Sequence, residues 1–135
     1  MKKDRIQWMC LLVSCAILSS CSSVALTGRK QLMLVSDEQV MSLSEQSYTD
    51  YMKTATLSTD KRNTEMVVRV GKKIASAVET YLTSQGRQAD ISGFAWTFKL
   101  VKNPEANAFC LPGGKIVVNE GILPITQTEE GLAVV

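Results

Sequence analysis

The sequence predicts an α+β fold: N-terminal helices, then a small, mostly antiparallel sheet, then the opening turns of one more helix. Three observations carry this. Apolar residues recur at helical spacing between positions 36 and 86, the period drops to two at 94–101, and a Gly-Gly hairpin signal sits at 113–114. At 135 residues with 45% hydrophobic side chains, the composition suits one small domain and excludes a collagen-like or largely disordered chain.

Residues 1–20 have the pattern of an export signal. Lys2, Lys3 and Arg5 form a basic head, Ile6–Leu18 is mostly apolar, and Leu18-Ser19-Ser20-Cys21 is a small-residue exit. The apolar run is short of the ~20 residues of a membrane-spanning helix. No amphipathic stripe passes through Trp8–Leu18, which disfavours a buried N-terminal helix. Leu18-Ser19-Ser20-Cys21 resembles a bacterial lipobox, with Cys21 as the lipidated residue and 21–35 as a tether. Leu12-Val13-Ser14-Cys15 fits the same pattern with a shorter core, and plain secretion with a Cys21–Cys110 disulfide is the competing reading. The lipoprotein reading implies a membrane partner reached through the acyl chains. It also implies a cell-envelope address, on the outer membrane facing the periplasm, because Ser22 lacks acidic character.

The domain proper, 36–135, opens on a capping box, Ser36-Asp37-Glu38-Gln39. Val40, Leu43, Ser47, Tyr51 and Ala55 then follow at helical spacing. That stripe is thin, as expected of a helix lying on the surface of something larger. Asp60 caps a second helix whose apolar face is Met66, Val70, Ile74, Ala77, Val78, Tyr81 and Leu82, and Gly86 supplies a left-handed stop. Phe94, Trp96, Phe98 and Leu100 alternate with Ala95, Thr97, Lys99 and Val101, the pattern of a strand with one aromatic face. Asn103-Pro104 turns the chain. Residues 106–111 and 115–119 read as two paired strands around Pro112-Gly113-Gly114. Thr126-Gln127-Thr128-Glu129 is a second capping box, opening a helix that carries Leu132, Ala133, Val134 and Val135. An apolar ending of this kind suggests a helix cut short; a short buried C-terminal helix is the alternative.

Charge and residue type limit the chemistry. The net charge of +2 arises in the first five residues, so the body is neutral and offers no basic face for nucleic acid. The sequence contains no His, so no imidazole base or zinc ligand exists in it. Cys110, set between Phe109 and Leu111, reads as a small buried apolar residue.

Four segments together resemble one family. They are Thr27-Gly28-Arg29-Lys30-Gln31-Leu32, Asn107-Ala108-Phe109-Cys110-Leu111-Pro112-Gly113-Gly114, Ile116-Val117-Val118-Asn119-Glu120-Gly121-Ile122-Leu123 and Glu129-Glu130-Gly131-Leu132-Ala133-Val134-Val135. All four are similar to segments of the gluzincin metallopeptidases of peptidase family forty-eight, the CAAX prenyl proteases and periplasmic chaperone-proteases. The resemblance implies that the last segment forms the first turns of a zincin-like active-site helix. In the family a His-Glu-x-x-His motif follows within a few residues, its two His binding zinc and its Glu activating water. None of those positions occurs in this sequence, so zinc is expected of intact members and no catalytic or metal-binding residue is assigned here. Glu129 and Glu130 are first-turn residues that favour the helix dipole.

The resemblance also places Asn107, Ala108 and Phe109 on or beside an edge strand that receives substrate as an added strand, although Phe109 equally suits a place in the hairpin core. The implied function is the N-terminal portion of a membrane-anchored zinc metalloendopeptidase acting on unfolded or extended envelope proteins, itself inactive. A non-catalytic lipoprotein that offers its sheet edge to extended peptides is the alternative.

Overall fold

The computed structural model describes residues 21–23, 30–32 and 35–135. The expected signal peptide, 1–20, and much of the expected tether lie outside them. Two compact units are present, 1–36 and 37–135. In the first, β1 (Cys21–Ser23) pairs antiparallel with β2 (Lys30–Leu32), Cys21 opposite Leu32. Main-chain pairing therefore organises part of a segment expected to be plain connection.

The second unit holds α1 (Asp37–Thr54) and α2 (Lys61–Ser84), followed by a 3₁₀ turn at Gln88–Ile91 that the sequence did not signal. Then come β3 (Thr97–Val101), β4 (Ala108–Leu111) and β5 (Lys115–Asn119). Short helices α3 (Leu123–Thr126) and α4 (Glu129–Val134) close it. The α+β class holds. The sheet is mixed rather than mostly antiparallel, its order β3-β5-β4, with β3 parallel and β4 antiparallel to β5. The cause lies in the connection. Residues 102–107 carry the chain from β3 across the sheet, and the hairpin then returns β5 into the gap between β3 and β4. The closing bonds run from Gly121 N–H to Asn103 O, 2.9 Å, and from Asn119 N–H to Asn107 O, 3.0 Å. Gly121 lies so close beneath this connection that a Cβ would overlap the Pro104 carbonyl.

α2 starts where Asp60 accepts from the Asn63 amide at 3.0 Å and stops before Gly86, φ 70°. Its buried face is Val67, Val70, Gly71, Ala75 and Leu82, rotated from the expected stripe; Ile74 is 38% and Tyr81 47% exposed. Gly71 explains the rotation. The Phe98 ring lies where a Cβ at 71 would be, so β3 docks on the small-residue side of the helix. Val67, Val70, Leu100, Val118, Ile122 and Leu132 form the core.

The opposite sheet face meets α1, whose one buried residue is Ser44. Long side chains and a few polar bonds make this contact. Ser44 Oγ donates to Pro112 O at 2.6 Å, Lys115 Nζ pairs with Glu45 Oε2 at 3.1 Å, and Tyr51 meets Phe109 edge-on at 5.2 Å. Burial pushes the Tyr48 phenol up, opposed by nearby Lys115, which lies over its ring. Among the described residues no helix is long and apolar enough to cross a membrane.

Two glycines of α2 and its cap separate packing from backbone strain. Gly71→Ala drives a methyl into the Phe98 ring and is expected to cost about 1–3 kcal/mol. Gly86→Ala meets open space and carries only left-handed strain, about 1–2 kcal/mol. Denaturant titration of both variants checks this; the ordering is wrong if Gly86→Ala proves the more damaging.

Candidate functional site

The two edges of the sheet differ. The outer edge of β3 is covered by the α1–α2 connection, where Ser58 N–H donates to Leu100 O at 2.9 Å and Lys102 N–H to Thr56 O at 2.8 Å, with Leu57 bridging Val101. β4 pairs with β5 alone, and among the described residues no strand lies on its other side.

Register fixes which groups that edge presents. Asn107 and Asn119 form a hydrogen-bonded antiparallel pair, so by alternation Phe109/Val117 and Leu111/Lys115 do the same. The main-chain N–H and C=O of Ala108 and Cys110 therefore point away from β5, into the open edge. Of the three residues expected at a substrate edge, Ala108 offers its backbone there. Phe109 bonds β5 and packs its ring on Tyr51, and Asn107 joins the ladder through its carbonyl. Cys110, which the sequence placed in the core, is exposed and supplies the other free backbone pair. The position of Cys110 follows from β4 being outermost, which no local pattern reveals. Partial enclosure pushes its thiol pKa up, away from nucleophile behaviour.

Beside this edge lies an apolar cleft of about 320 Å³ between α2, the sheet and α4, lined among others by Val67, Val70, Ile74, Ile116, Val118 and Leu132. α4 begins at Thr128, whose hydroxyl accepts from Gly131 N–H at 3.0 Å, and not at Thr126 as the capping box suggested. Pro124 starts α3 instead of merely ending the strand region, Thr126 closes that turn, and Gln127 breaks it at φ 59°. A Cβ on Gly131 would overlap the Thr126 carbonyl, so glycine permits the tight step from α3 to α4.

Glu129 ties α4 to α2. It accepts from Arg69 Nη2 at 2.8 Å and Nε at 3.1 Å, and from Lys73 Nζ at 3.2 Å. Those hydrogen bonds, Arg69 first, hold its carboxyl below the usual range. Local reasoning assigns Glu129 only a dipole role, and Arg69 and Lys73 only a solvated surface, because the partners are 56–60 residues apart.

An open edge strand beside the start of a helix is the arrangement that the resemblance assigns to a metallopeptidase. Residues 68–135 match the model of Peptidase family M48, and the chain belongs to that family. It is similar to the mitochondrial metalloendopeptidase OMA1 of Schizosaccharomyces pombe, 49% identical over 45 residues, which cover 33% of this chain and 13% of that protein. The protein of the same name from Saccharomyces cerevisiae is 43% identical over 47 residues, 33% of this chain and 14% of that protein. The match thus covers about one seventh or less of either relative's length. No solved structure matches.

The relatives correct the expected address. They are named as mitochondrial proteins, and the outer-membrane, periplasm-facing location read from Cys21 and Ser22 does not stand. A basic head and an apolar core favour membranes in general; their physics does not specify which one.

Intact members of the family imply zinc. The residues present do not fit it. The sequence has no His, and among the described residues no three His, Cys, Asp or Glu side chains gather to hold a metal.

Because its folded-state pKa is depressed, Glu129 stabilises the α2–α4 contact above the ordinary Glu pKa, and this stabilisation is lost as pH falls through the lowered value. Glu129→Gln should therefore speed amide exchange in α4 at neutral pH, by a small factor typical of an exposed ion pair. The difference should vanish in acid. Hydrogen exchange of residues 129–134 across a pH series checks this, and a pH-independent difference would refute it.

Proposed function

We propose that these residues are the N-terminal portion of a membrane-anchored zinc metalloendopeptidase, contributing the strand edge that seats extended substrate and the first turns of the active-site helix. The observation that carries this is the edge of β4, open among the described residues, with the main-chain groups of Ala108 and Cys110 directed away from β5 beside α4. An extended peptide gains affinity there by adding a strand, through backbone hydrogen bonds that tolerate many sequences. That tolerance suits the turnover of unfolded proteins. Zinc supplies Lewis-acid activation of water when bound in intact members. This chain's own contribution is to bind and align the peptide. Membrane attachment through lipid on Cys21 belongs to the same proposal and rests on the Leu18-Ser19-Ser20-Cys21 sequence. Intact-mass spectrometry tests it by the added diacylglyceryl group.

A second reading rests on the same open edge: a non-catalytic module that binds extended peptides through it. Sequencing the gene past codon 135 separates the two. An in-frame His-Glu-x-x-His close downstream supports the peptidase reading, and a stop codon in independent isolates supports the module.

Under both readings the 135-residue chain should bind extended peptides equally with zinc or with EDTA, and should leave casein intact. Cys110→Pro deletes one outward N–H while sparing the ladder to β5, so it should weaken peptide binding by about tenfold. Fluorescence anisotropy with a labelled peptide measures this. Cleavage of casein by the purified chain would overturn the inactive assignment, and full affinity in Cys110→Pro would overturn the edge.

A further inference from the structure

We infer that Tyr51 is a positioning residue for the peptide edge, holding β4 through Phe109 in the conformation that presents Ala108 and Cys110; this rests on the edge reading above. α1 meets the β4–β5 hairpin along one helix face. Met41 lies against Gly113, Ser44 Oγ donates to Pro112 O at 2.6 Å, Glu45 and Tyr48 meet Lys115, and Tyr51 meets Phe109. The helical spacing of Met41, Ser44, Tyr48 and Tyr51 puts these side chains on the same side of α1. Leu43, between them in sequence, is 60% exposed.

An outermost strand is held on one side only. β4 is short, Ala108–Leu111, and pairs with β5 alone among the described residues. Its first end is tied by the bond from Asn119 N–H to Asn107 O, and its turn end by Ser44. Between those ends, Phe109 bonds β5 through its main chain while its side chain turns to α1. Tyr51 meets that ring edge-on, with 5.2 Å between centroids and 89° between planes, a favoured geometry for an aromatic pair. Phe109 stands directly between Ala108 and Cys110, so holding its ring fixes the direction of both neighbours' outward groups. A strand that is already ordered loses little conformational freedom when a peptide adds to it. A loosened strand must be ordered by the peptide, and affinity falls accordingly. The contact is made by the ring of Tyr51, so its hydroxyl is dispensable.

The test uses the full 135-residue chain in detergent and two fluorescent peptides. One alternates Val with Ser between terminal Lys residues, and the other is the same peptide N-methylated at alternate amides. The unaltered chain should bind the first and not the second. Tyr51→Ala should weaken binding of the first by about three- to tenfold, and Tyr51→Phe should bind like the unaltered chain. In Tyr51→Ala the amides of Phe109 and Leu111 should exchange faster, while those of Val67 and Val70 in α2 keep their protection. Phe109→Ala should weaken binding too, and adding Tyr51→Ala to it should weaken it no further, as for two residues acting through one contact. Ser44→Ala, which frees α1 from the hairpin turn without touching either ring, should also weaken binding. Full affinity in Tyr51→Ala, with the N-methylated peptide still excluded, would overturn the positioning role and leave the edge reading standing. So would a loss shared by Tyr51→Phe, a further loss in the double variant, or losses in Tyr51→Ala and Ser44→Ala that come with faster exchange throughout α2. Failure of the unaltered chain to bind either peptide, or equal binding of both, would overturn both readings.

Discussion

Insertion of β5 between β3 and β4 organises the elements around it. Because residues 102–107 carry the chain over the end of β5, β4 must be outermost. Because β3 is closed by the α1–α2 connection, β4 is the open edge among the described residues. Gly121 makes the crossing possible, since any side chain there would meet the Pro104 carbonyl. The same crossing directs the chain through Ile122 and α3 to the start of α4 beside the core. One backbone path thus creates both the edge and the helix next to it.

The two faces of the sheet are held by different physics. On the α2 face, Val67, Val70, Leu100, Val118, Ile122 and Leu132 exclude water together, and burial of each such side chain is worth about 1.5–3 kcal/mol. On the opposite face Val101 and Val117 are also fully buried, and the further contacts to α1 are one hydroxyl-to-carbonyl bond, one ion pair to a mostly buried Lys115 and one aromatic contact. These contacts are directional and individually small, about 1 kcal/mol for the neutral hydrogen bond. The Tyr51–Phe109 contact bears directly on the site, because Phe109 lies between the two residues that present the open edge.

Much of this fold was legible locally. Asp60 as a cap, Gly86 as a stop, the alternation through Phe98 and Leu100, and the Gly-Gly hairpin all rest on interactions within a few residues, whereas Phe94–Trp96, expected in the same strand, precede β3. The errors share one cause. The exposed Cys110, the rotated face of α2 and the displaced cap of α4 each depend on a partner far away in sequence or on a chain reversal. Phe98 against Gly71 decided the second, and the tight step from α3 to α4 decided the third.

Residue type and short spacing are enough to specify the helix and strand periods, the hairpin, the family resemblance and the absence of any imidazole. Tertiary structure alone decided that β3 runs parallel to β5, that Ala108 and Cys110 face outward, that Arg69 and Lys73 grip Glu129, and that an apolar cleft opens beside the edge. Strand order is set by where the connection crosses, and one crossing reassigns every main-chain donor and acceptor on the strands it separates.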